Sequence, residues 1–309
     1  MVDLSARLPR APRFGCRWRV YAVELTLAYE LVTAVLALLS ALIIGGSDFG
    51  GGLATKHDNT FRVTAGAQIA GGLVAVVFAV AIGSASVERV DVVAGVIAGL
   101  SGSFSFICLY RALSIGVMSV VAPTTAVVGA TIPALVGIAR GEEVTALTGI
   151  GLVVAVAAIV LVTREGSSHA GTTSRSALAL AVVAGVGFSV FFIALAETND
   201  DAGMWPLVVA RVVSVPLVAV VAFRMTGSVL PKVTISRRLA VFTGSTEMIA
   251  NALLLAALRR DELAIAAVFG SLYPVSTVLL AWIVLHERVS RSQLVGVGLA
   301  LGALALVAF

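Results

Sequence analysis

The sequence predicts an all-α integral membrane protein whose ten transmembrane helices form two inverted five-helix repeats. Of its 309 residues, 59% are hydrophobic and only 12% are charged, whereas about 25% of a soluble domain is charged. Mean hydropathy is +1.06. The second observation is a duplication, because residues 112–162 recur as 257–307 at a constant offset of 145 positions (257 minus 112). Lipid is therefore the expected solvent, and the chain is expected to repeat one unit.

Ten apolar runs are each long enough to cross a bilayer as a helix, which takes about 20 residues. None of them alternates polar and apolar residues as barrel strands do, so helices are expected. The runs occupy residues 32–54, 62–83, 91–112, 116–139, 145–163, 176–197, 204–225, 237–258, 263–285 and 291–309. An even number of spans places both termini on one side of the membrane. Five arginines before residue 20 predict that this side is the cytoplasm.

The chain divides into four segments. Residues 1–31 form a basic N-terminal tail, and residues 164–175 form a polar linker rich in Gly and Ser. The linker separates a first repeat, 32–163, from a second, 176–309. Because each repeat has five spans, the second enters the membrane from the opposite side. Inverted repeats of this kind place a binding site near the bilayer midplane, at the interface of the repeats.

Two charged turns and one preceding motif resemble the EamA-type transporters of the drug/metabolite transporter superfamily. The turns are 141–145 (GEEVT) and 285–290 (LHERVS), and the motif is 110–116 (YRALSIG). In that family each half ends its fourth helix with a Glu that precedes a Ser or Thr by three positions. The resemblance covers essentially the whole chain and marks Glu142 and Glu287 as the family's structural signature.

The sequence follows the family pattern at some positions and departs from it at others. Pro274 stands thirteen residues before Glu287, as the pattern implies, but Gly129 holds the equivalent place in the first copy. In the first helix Asp48 stands where a neutral residue is common, and Gly45 where Trp is common. We expect the change at Asp48 to bear on the substrate.

The signature glutamates are expected in tight turns at helix ends. A carboxylate there can accept hydrogen bonds from the free backbone N–H groups that open the next helix, and it favours the dipole of that helix. This structural role is favoured over substrate contact. Glu142 and Glu287 therefore identify the family more than the function.

Three charged residues fall inside predicted spans: Asp48, Arg211 and Glu247. An ionised side chain at the bilayer centre costs at least about 2.5 kcal/mol unless it faces a cavity or a partner. We therefore expect the three to face one polar interior. Two roles stay open for Arg211, substrate binding and a structural ion pair with one of the acids. Burial favours the protonated form of a carboxyl group, so Asp48 and Glu247 are candidates for proton coupling.

Uncharged polar side chains complete the expected cavity. Asn251, Tyr273 and Tyr110 are bulky polar residues inside otherwise apolar helices, and they join the three charged residues as predicted substrate-binding or coupling residues. Smaller hydroxyls inside helices more often serve packing. The wider polar set comprises Ser47, Gln68, Ser103, Ser105, Thr124, Thr125, Ser245, Thr246, Ser276 and Thr277.

Three consecutive glycines, residues 50–52, fall inside the first span. Each weakens a helix by about 1 kcal/mol relative to alanine. The run predicts a place where the first helix bends or partly unwinds, a feature of helices that line transporter cavities.

The resemblance implies a secondary active transporter, an exporter of small metabolites such as amino acids or drugs across the cytoplasmic membrane by alternating access. Because no ATP-binding motif is present, an ion gradient or the substrate gradient would supply the energy. The expected partners are a small-molecule substrate, protons as a candidate coupling ion, and membrane lipid, with no nucleic acid. The oligomeric state stays open between monomer and homodimer.

Two other classes of function would need different sequence features. An intramembrane enzyme needs clustered catalytic or ligand residues, and His57, His169 and His286 fall in predicted loops without a partner set. The sequence therefore predicts no catalytic activity, no metal and no cofactor. A membrane scaffold or sensor without transport activity is the remaining alternative.

Overall fold

The computed structural model of the chain describes residues 17–84, 86–140, 149–150, 153–154, 157, 173–258, 273–287, 291, 294–296, 298–299 and 302. One short 3-10 turn, Asp200–Ala202, precedes α6. All the regular elements in these ranges are helical, so the all-α fold class is confirmed for them. The helices are α1 (Arg17–His57), α2 (Thr60–Ile82), α3 (Arg89–Ile115), α4 (Met118–Ala139), α5 (Arg175–Ala196), α6 (Trp205–Thr226), α7 (Thr234–Leu258) and α8 (Tyr273–Leu285).

Five stretches of these helices are long and apolar enough to cross a membrane. They are Leu38–His57, Thr60–Ile82, Arg89–Ile115, Arg175–Ala196 and Trp205–Thr226. α4 and α8 contain the shorter apolar stretches Met118–Pro133 and Tyr273–Leu285. Most of the fifth and tenth predicted spans, 145–163 and 291–309, lies outside the described residues. α1 begins at Arg17, inside the segment that the sequence predicts as a tail.

Polar residues at the helix ends fix where several helices begin and stop. The Asn59 side chain accepts a hydrogen bond from the Phe61 N–H (3.0 Å), which caps α2. The Ser174 hydroxyl accepts one from the Ala177 N–H (3.1 Å) and so opens α5. α6 ends at Gly227, whose φ of 69° lies in the left-handed region that favours glycine.

Three serine hydroxyls join α1 to α7 at seven-residue intervals. As positions on α1 rise by seven, those on α7 fall by seven, so the two helices run antiparallel. Because each bond ends on a backbone carbonyl, the helices approach closely, as small residues allow in membranes. The bonds are Ser40 to the Ala250 carbonyl (2.8 Å), Ser47 to the Thr243 carbonyl (2.9 Å) and Ser236 to the Ala54 carbonyl (3.0 Å).

The glycine run of α1 serves close packing. α1 is a continuous helix through residues 50–52, so the predicted unwinding is wrong. A β-carbon added at Gly51 would overlap the Tyr110 ring, and one at Gly52 would lie 2.7 Å from the Leu113 β-carbon. Such distances leave no room for a side chain. Tight contact with α3 explains the glycines without a break in the helix.

The two halves of the chain interleave. α1 packs against α7 and α8, α2 against α6 and α7, α3 against α5 and α6, and α4 against α5. We call the bundle end that carries residues 58–59 the α1–α2 end, and the one that carries residues 83–88 the α2–α3 end. The Val117 N–H donates to the Thr173 hydroxyl (3.3 Å), so α5 begins at the α1–α2 end, where α1 stops. α1 and α5 therefore run in opposite directions.

Candidate functional site

A buried ion pair lies at the centre of the bundle. One terminal nitrogen of Arg211, on α6, donates to both carboxylate oxygens of Glu247, on α7, at 2.8 and 2.7 Å. The two residues are 9% and 7% exposed. Charge-assisted bonds of this length are about twice as strong as neutral ones. The structure places Arg211 and Glu247 in the polar interior that the sequence predicts for them.

Amide and hydroxyl groups extend this pair into a network. The Gln68 side-chain oxygen, on α2, accepts hydrogen bonds from Arg211 and from the Ser214 hydroxyl (3.1 Å). On the other side, the Asn251 side-chain amide donates to Glu247 at 2.8 Å. The network therefore ties α2 of the first half to α6 and α7 of the second.

Asp48 lies beside this network without joining it. It is 5% exposed, and its carboxylate is near enough to Glu247 for the two charges to repel each other. Within the described part of the chain its side chain takes part in no hydrogen bond, yet none of its oxygens is fully sealed. With every group ionised, Asp48, Glu247 and Arg211 sum to one negative charge.

Two tyrosines bring the set together. Tyr110, on α3, is 1% exposed and lies near enough to Glu247, Asp48 and Arg211 to interact with their charges. Tyr273, at the start of α8, lies near enough to Asp48 to interact with its charge. Since Asn251 already contacts Glu247, all six predicted substrate-binding or coupling residues lie in one neighbourhood. Helices α1, α3, α6, α7 and α8 supply them.

The absence of a side chain at Gly45 allows α8 to pack closely against the part of α1 that carries Asp48. A β-carbon there would overlap the Ser276 hydroxyl and the Tyr273 carbonyl. The Thr277 hydroxyl donates to the Gly45 carbonyl at 3.0 Å, which fastens the two helices together. The family commonly has Trp at this position, so the two departures in α1, at Gly45 and Asp48, belong to one altered region. Pro274, the signature proline, is buried in the same part of α8.

Sequence reasoning gave too little weight to two members of the network. Gln68 stood in the wider polar set and Ser214 was missed, although both bond to the centre. Ser214 follows Arg211 by three positions, a spacing that puts both on one helix face. The signal for Gln68 was its place as the one amide in an apolar helix.

One cavity beside the network is small. Its volume is about 10 Å³, enough for about one water molecule, and it lies among α2, α3, α5 and α6. Gln68, Ser103, Arg211 and Ser214 are its polar walls, and Phe106 is one of its apolar ones.

A glutamate from the second half caps a helix of the first. Glu287 accepts hydrogen bonds from the Met118 N–H (2.9 Å), the Ser119 N–H (3.1 Å) and the Ser119 hydroxyl (2.7 Å). We call this contact the Glu287 clamp. It uses a carboxylate as expected, and among the described residues the N–H groups that it accepts from are those that open α4. Glu142 lies outside the described residues.

An aspartate makes a second contact of the same kind. One oxygen of Asp58 accepts the Lys232 and Val233 N–H groups (2.7 and 2.9 Å), just before α7. The other accepts the Asn59 N–H (2.7 Å) and the Arg62 side chain (2.8 Å). Burial opposes ionisation, but these bonds outweigh it and hold the pKa of Asp58 below its ordinary 3.8. We call this the Asp58 clamp, which sequence reasoning missed.

The opposite, α2–α3 end also joins the halves. Asp91, in the first turn of α3, accepts the Asn199 N–H at 2.8 Å. At the surface, Arg140 forms an ion pair with Glu197. Contacts between the halves therefore close the bundle at both ends.

Comparisons with known proteins agree with this architecture. A solved structure titled "Crystal structure of protein" is similar at 18% identity and a TM-score of 0.56, over 90% of this chain and 96% of that one. This likeness shows the fold alone. No curated protein matches the chain. The family model "EamA-like transporter family" matches residues 175–309. The resemblance is thus confirmed over residues 175–309, and this multi-pass membrane protein carries there a domain of the EamA-like transporter family, within the drug/metabolite transporter superfamily.

Proposed function

We propose that the protein is a secondary active transporter that exports small metabolites, such as amino acids or drugs, across the cytoplasmic membrane. The observation that carries this proposal is the buried set of Asp48, Arg211 and Glu247, held among helices of both halves. Ionisable groups at membrane depth are costly and mark the paths of solutes or protons. The EamA-like match over residues 175–309 supports the same class of function.

We propose alternating access by two inverted five-helix repeats as the mechanism. The opposite directions of α1 and α5 support this arrangement. Contacts join the halves at both ends, through the two clamps at one and Asp91 and Arg140 at the other. In each half-cycle one set of contacts would open while the other holds, which exposes the central site to one side at a time.

The central residues would have separate roles in transport. Asp48, which has no hydrogen-bond partner among the described residues, is the proposed site for a proton or a cationic group of the substrate. Arg211 and Glu247 would bind substrate by exchanging their mutual bonds for bonds to it. Asn251, Tyr110 and Tyr273 would complete the contacts. If Arg211 is only a structural bridge, substrate would leave the Arg211–Glu247 pair intact.

A ligand screen followed by a flux assay tests the proposal. A ligand that binds only the folded protein raises its melting temperature, so the purified protein is screened against amino acids, nucleobases and cationic drugs. Each hit is then assayed for counterflow in liposomes. A transporter accumulates labelled substrate only when unlabelled substrate is inside. Binding without counterflow would favour the alternative, a membrane scaffold or sensor.

We propose that both termini face the cytoplasm, which the N-terminal arginines support. The α1–α2 end, however, carries exposed basic residues such as Arg237 and Arg238, and it would then lie outside. Single cysteines near Lys232 and near Asp201, probed with a membrane-impermeant thiol reagent in whole cells, test this. Labelling near Lys232 alone would support the proposal, and labelling near Asp201 alone would overturn it.

A further inference from the structure

A second pocket lies at the α1–α2 end, away from the central site. Its volume is about 340 Å³, in the range of small-ligand pockets. It opens between the α1–α2 turn, the first turn of α2 and the last turns of α3. Asp58, Asn59, Thr60, Phe61, Ile107 and Arg111 line it.

The polar side of this pocket suits an anion. Thr60 is 7% exposed, and its hydroxyl makes no hydrogen bond in the described part of the chain, yet it is not sealed from the pocket. Arg111 is exposed, and its guanidinium pairs with no described residue. α2 also begins here, and the N–H groups of its first turn attract negative charge, apart from that of Phe61, which Asn59 caps.

Asp58, the acidic residue that lines the pocket, does not prevent an anion from binding there. Both oxygens of Asp58 are already occupied by the Lys232, Val233 and Asn59 N–H groups and by Arg62. The ion pair with Arg62 offsets the charge of Asp58. Arg111 therefore leaves the pocket with a net positive charge.

The apolar side of the pocket continues into the lipid-facing surface. Phe61 and Ile107 line the pocket itself. Arg111 ends a row of α3 side chains spaced three or four residues apart, which places them on one face of the helix. This row is exposed and apolar, as contact with acyl chains requires. Its members are Ile97, Leu100 and Phe104, exposed by 43%, 48% and 55%.

We propose that this pocket binds the phosphate group of an anionic phospholipid, whose acyl chain lies along the exposed face of α3. Arg111 and the start of α2 hold the phosphate, and the Thr60 hydroxyl donates to it. The apolar row that leads away from Arg111 favours a lipid over a soluble anion. The site does not depend on transport activity or on the identity of the transported solute.

The test measures lipid binding to the full-length, delipidated protein in detergent. Dioleoyl phosphatidylglycerol is titrated while bound lipid is counted by native mass spectrometry. Arg111→Gln should bind about five-fold more weakly, which is about 1 kcal/mol for one basic side chain at a membrane surface. Thr60→Val should weaken binding to a smaller extent. The matched control is Arg224→Gln, which removes another exposed arginine at the same end and should bind as the unchanged protein does.

Three outcomes would overturn the proposal. Equal losses in Arg111→Gln and Arg224→Gln would mean a diffuse basic surface. Equal binding of phosphatidylcholine would remove the anion from the recognition. Competition by inorganic phosphate or glycerol phosphate at the concentration of the lipid would assign the pocket to a soluble anion. Melting temperatures without lipid establish that each variant is folded.

Discussion

The central site and the two clamps are both built on carboxylates, but the hydrogen bonds to these carboxylates differ. Asp58 and Glu287 each accept hydrogen bonds on both oxygens, including two from backbone N–H groups of the other half. Asp48 accepts none from the described residues, and Glu247 shares its oxygens between Arg211 and Asn251. A carboxylate whose two oxygens both accept hydrogen bonds from the protein holds helices together. A carboxylate without such bonds could still accept a proton or bind a solute.

The energetic reason lies in the cost of an unpaired group. Leaving a buried donor or acceptor without a partner costs about 1–3 kcal/mol, and more for a charged group. Asp48 lies at membrane depth without a hydrogen bond from any described residue, so it adds little to stability through such bonds. The proposed role of Asp48 in binding a proton or a solute would account for its position.

The largest effect is expected from Asp48→Asn. If Asp48 carries the proton or the substrate charge, counterflow of the ligand found by thermal shift should be abolished. Stability should change by less than about 1 kcal/mol, because the exchange breaks no hydrogen bond to the described residues. Asp201→Asn, an exposed aspartate in the same chain, is the matched control and should transport normally. An Asp48→Asn protein that transports at the unchanged rate would remove Asp48 from the mechanism.

Glu247→Gln should instead damage the fold. It leaves the Arg211 guanidinium buried without its counter-charge, and breaking a buried ion pair costs about 3–5 kcal/mol. Denaturant titration in detergent measures this loss. The double variant Arg211→Met with Glu247→Met should be more stable than Glu247→Gln, since no buried charge is then unpaired. A double variant as unstable as the sum of two single losses would contradict the pairing.

The central residues can be singled out in the sequence for a physical reason. Polar side chains are rare at membrane depth, so Asp48, Arg211 and Glu247 are visible as exceptions inside apolar runs, and so are Asn251 and the tyrosines. Most described helix bounds follow for the same reason, because a bilayer demands long continuous runs. The exception is α1, which begins at Arg17, well before its predicted span of 32–54.

The clamps were harder to predict because they join residues far apart in the chain. Glu287 bonds to residues 168 and 169 positions earlier, and Asp58 to residues 174 and 175 positions later. Hydropathy places each helix in the membrane but does not say which neighbours it meets. The glycines of α1 fail as a predictor for the same reason, because their role depends on Tyr110 and Leu113 in another helix.

Glu287→Gln tests the first clamp. The amide keeps one acceptor oxygen but loses the charge and at least one of three bonds to α4. Hydrogen bonds to charged groups contribute about 1.5–3 kcal/mol, so a loss of that size is expected in denaturant titration. Glu197→Gln, in an exposed ion pair, is the control and should cost less than about 1 kcal/mol. Equal losses in the two variants would mean that the clamp contributes no more than a surface pair.

The smallest effect is expected from acidification at the Asp58 clamp. The folded-state pKa of Asp58 lies below its ordinary value of 3.8, so its clamp stabilises the fold above that pH and loses this contribution as the pH falls through the folded value. The unchanged protein should therefore exceed Asp58→Asn in melting temperature by a constant margin from about pH 5 to pH 8. Below pH 3.8 this difference in melting temperature should shrink. Asp58 then becomes protonated and uncharged, as the asparagine of the variant is at every pH. A margin that grows on acidification would mean that the pKa is raised in the folded state, and the clamp would then not act through the ionised carboxylate.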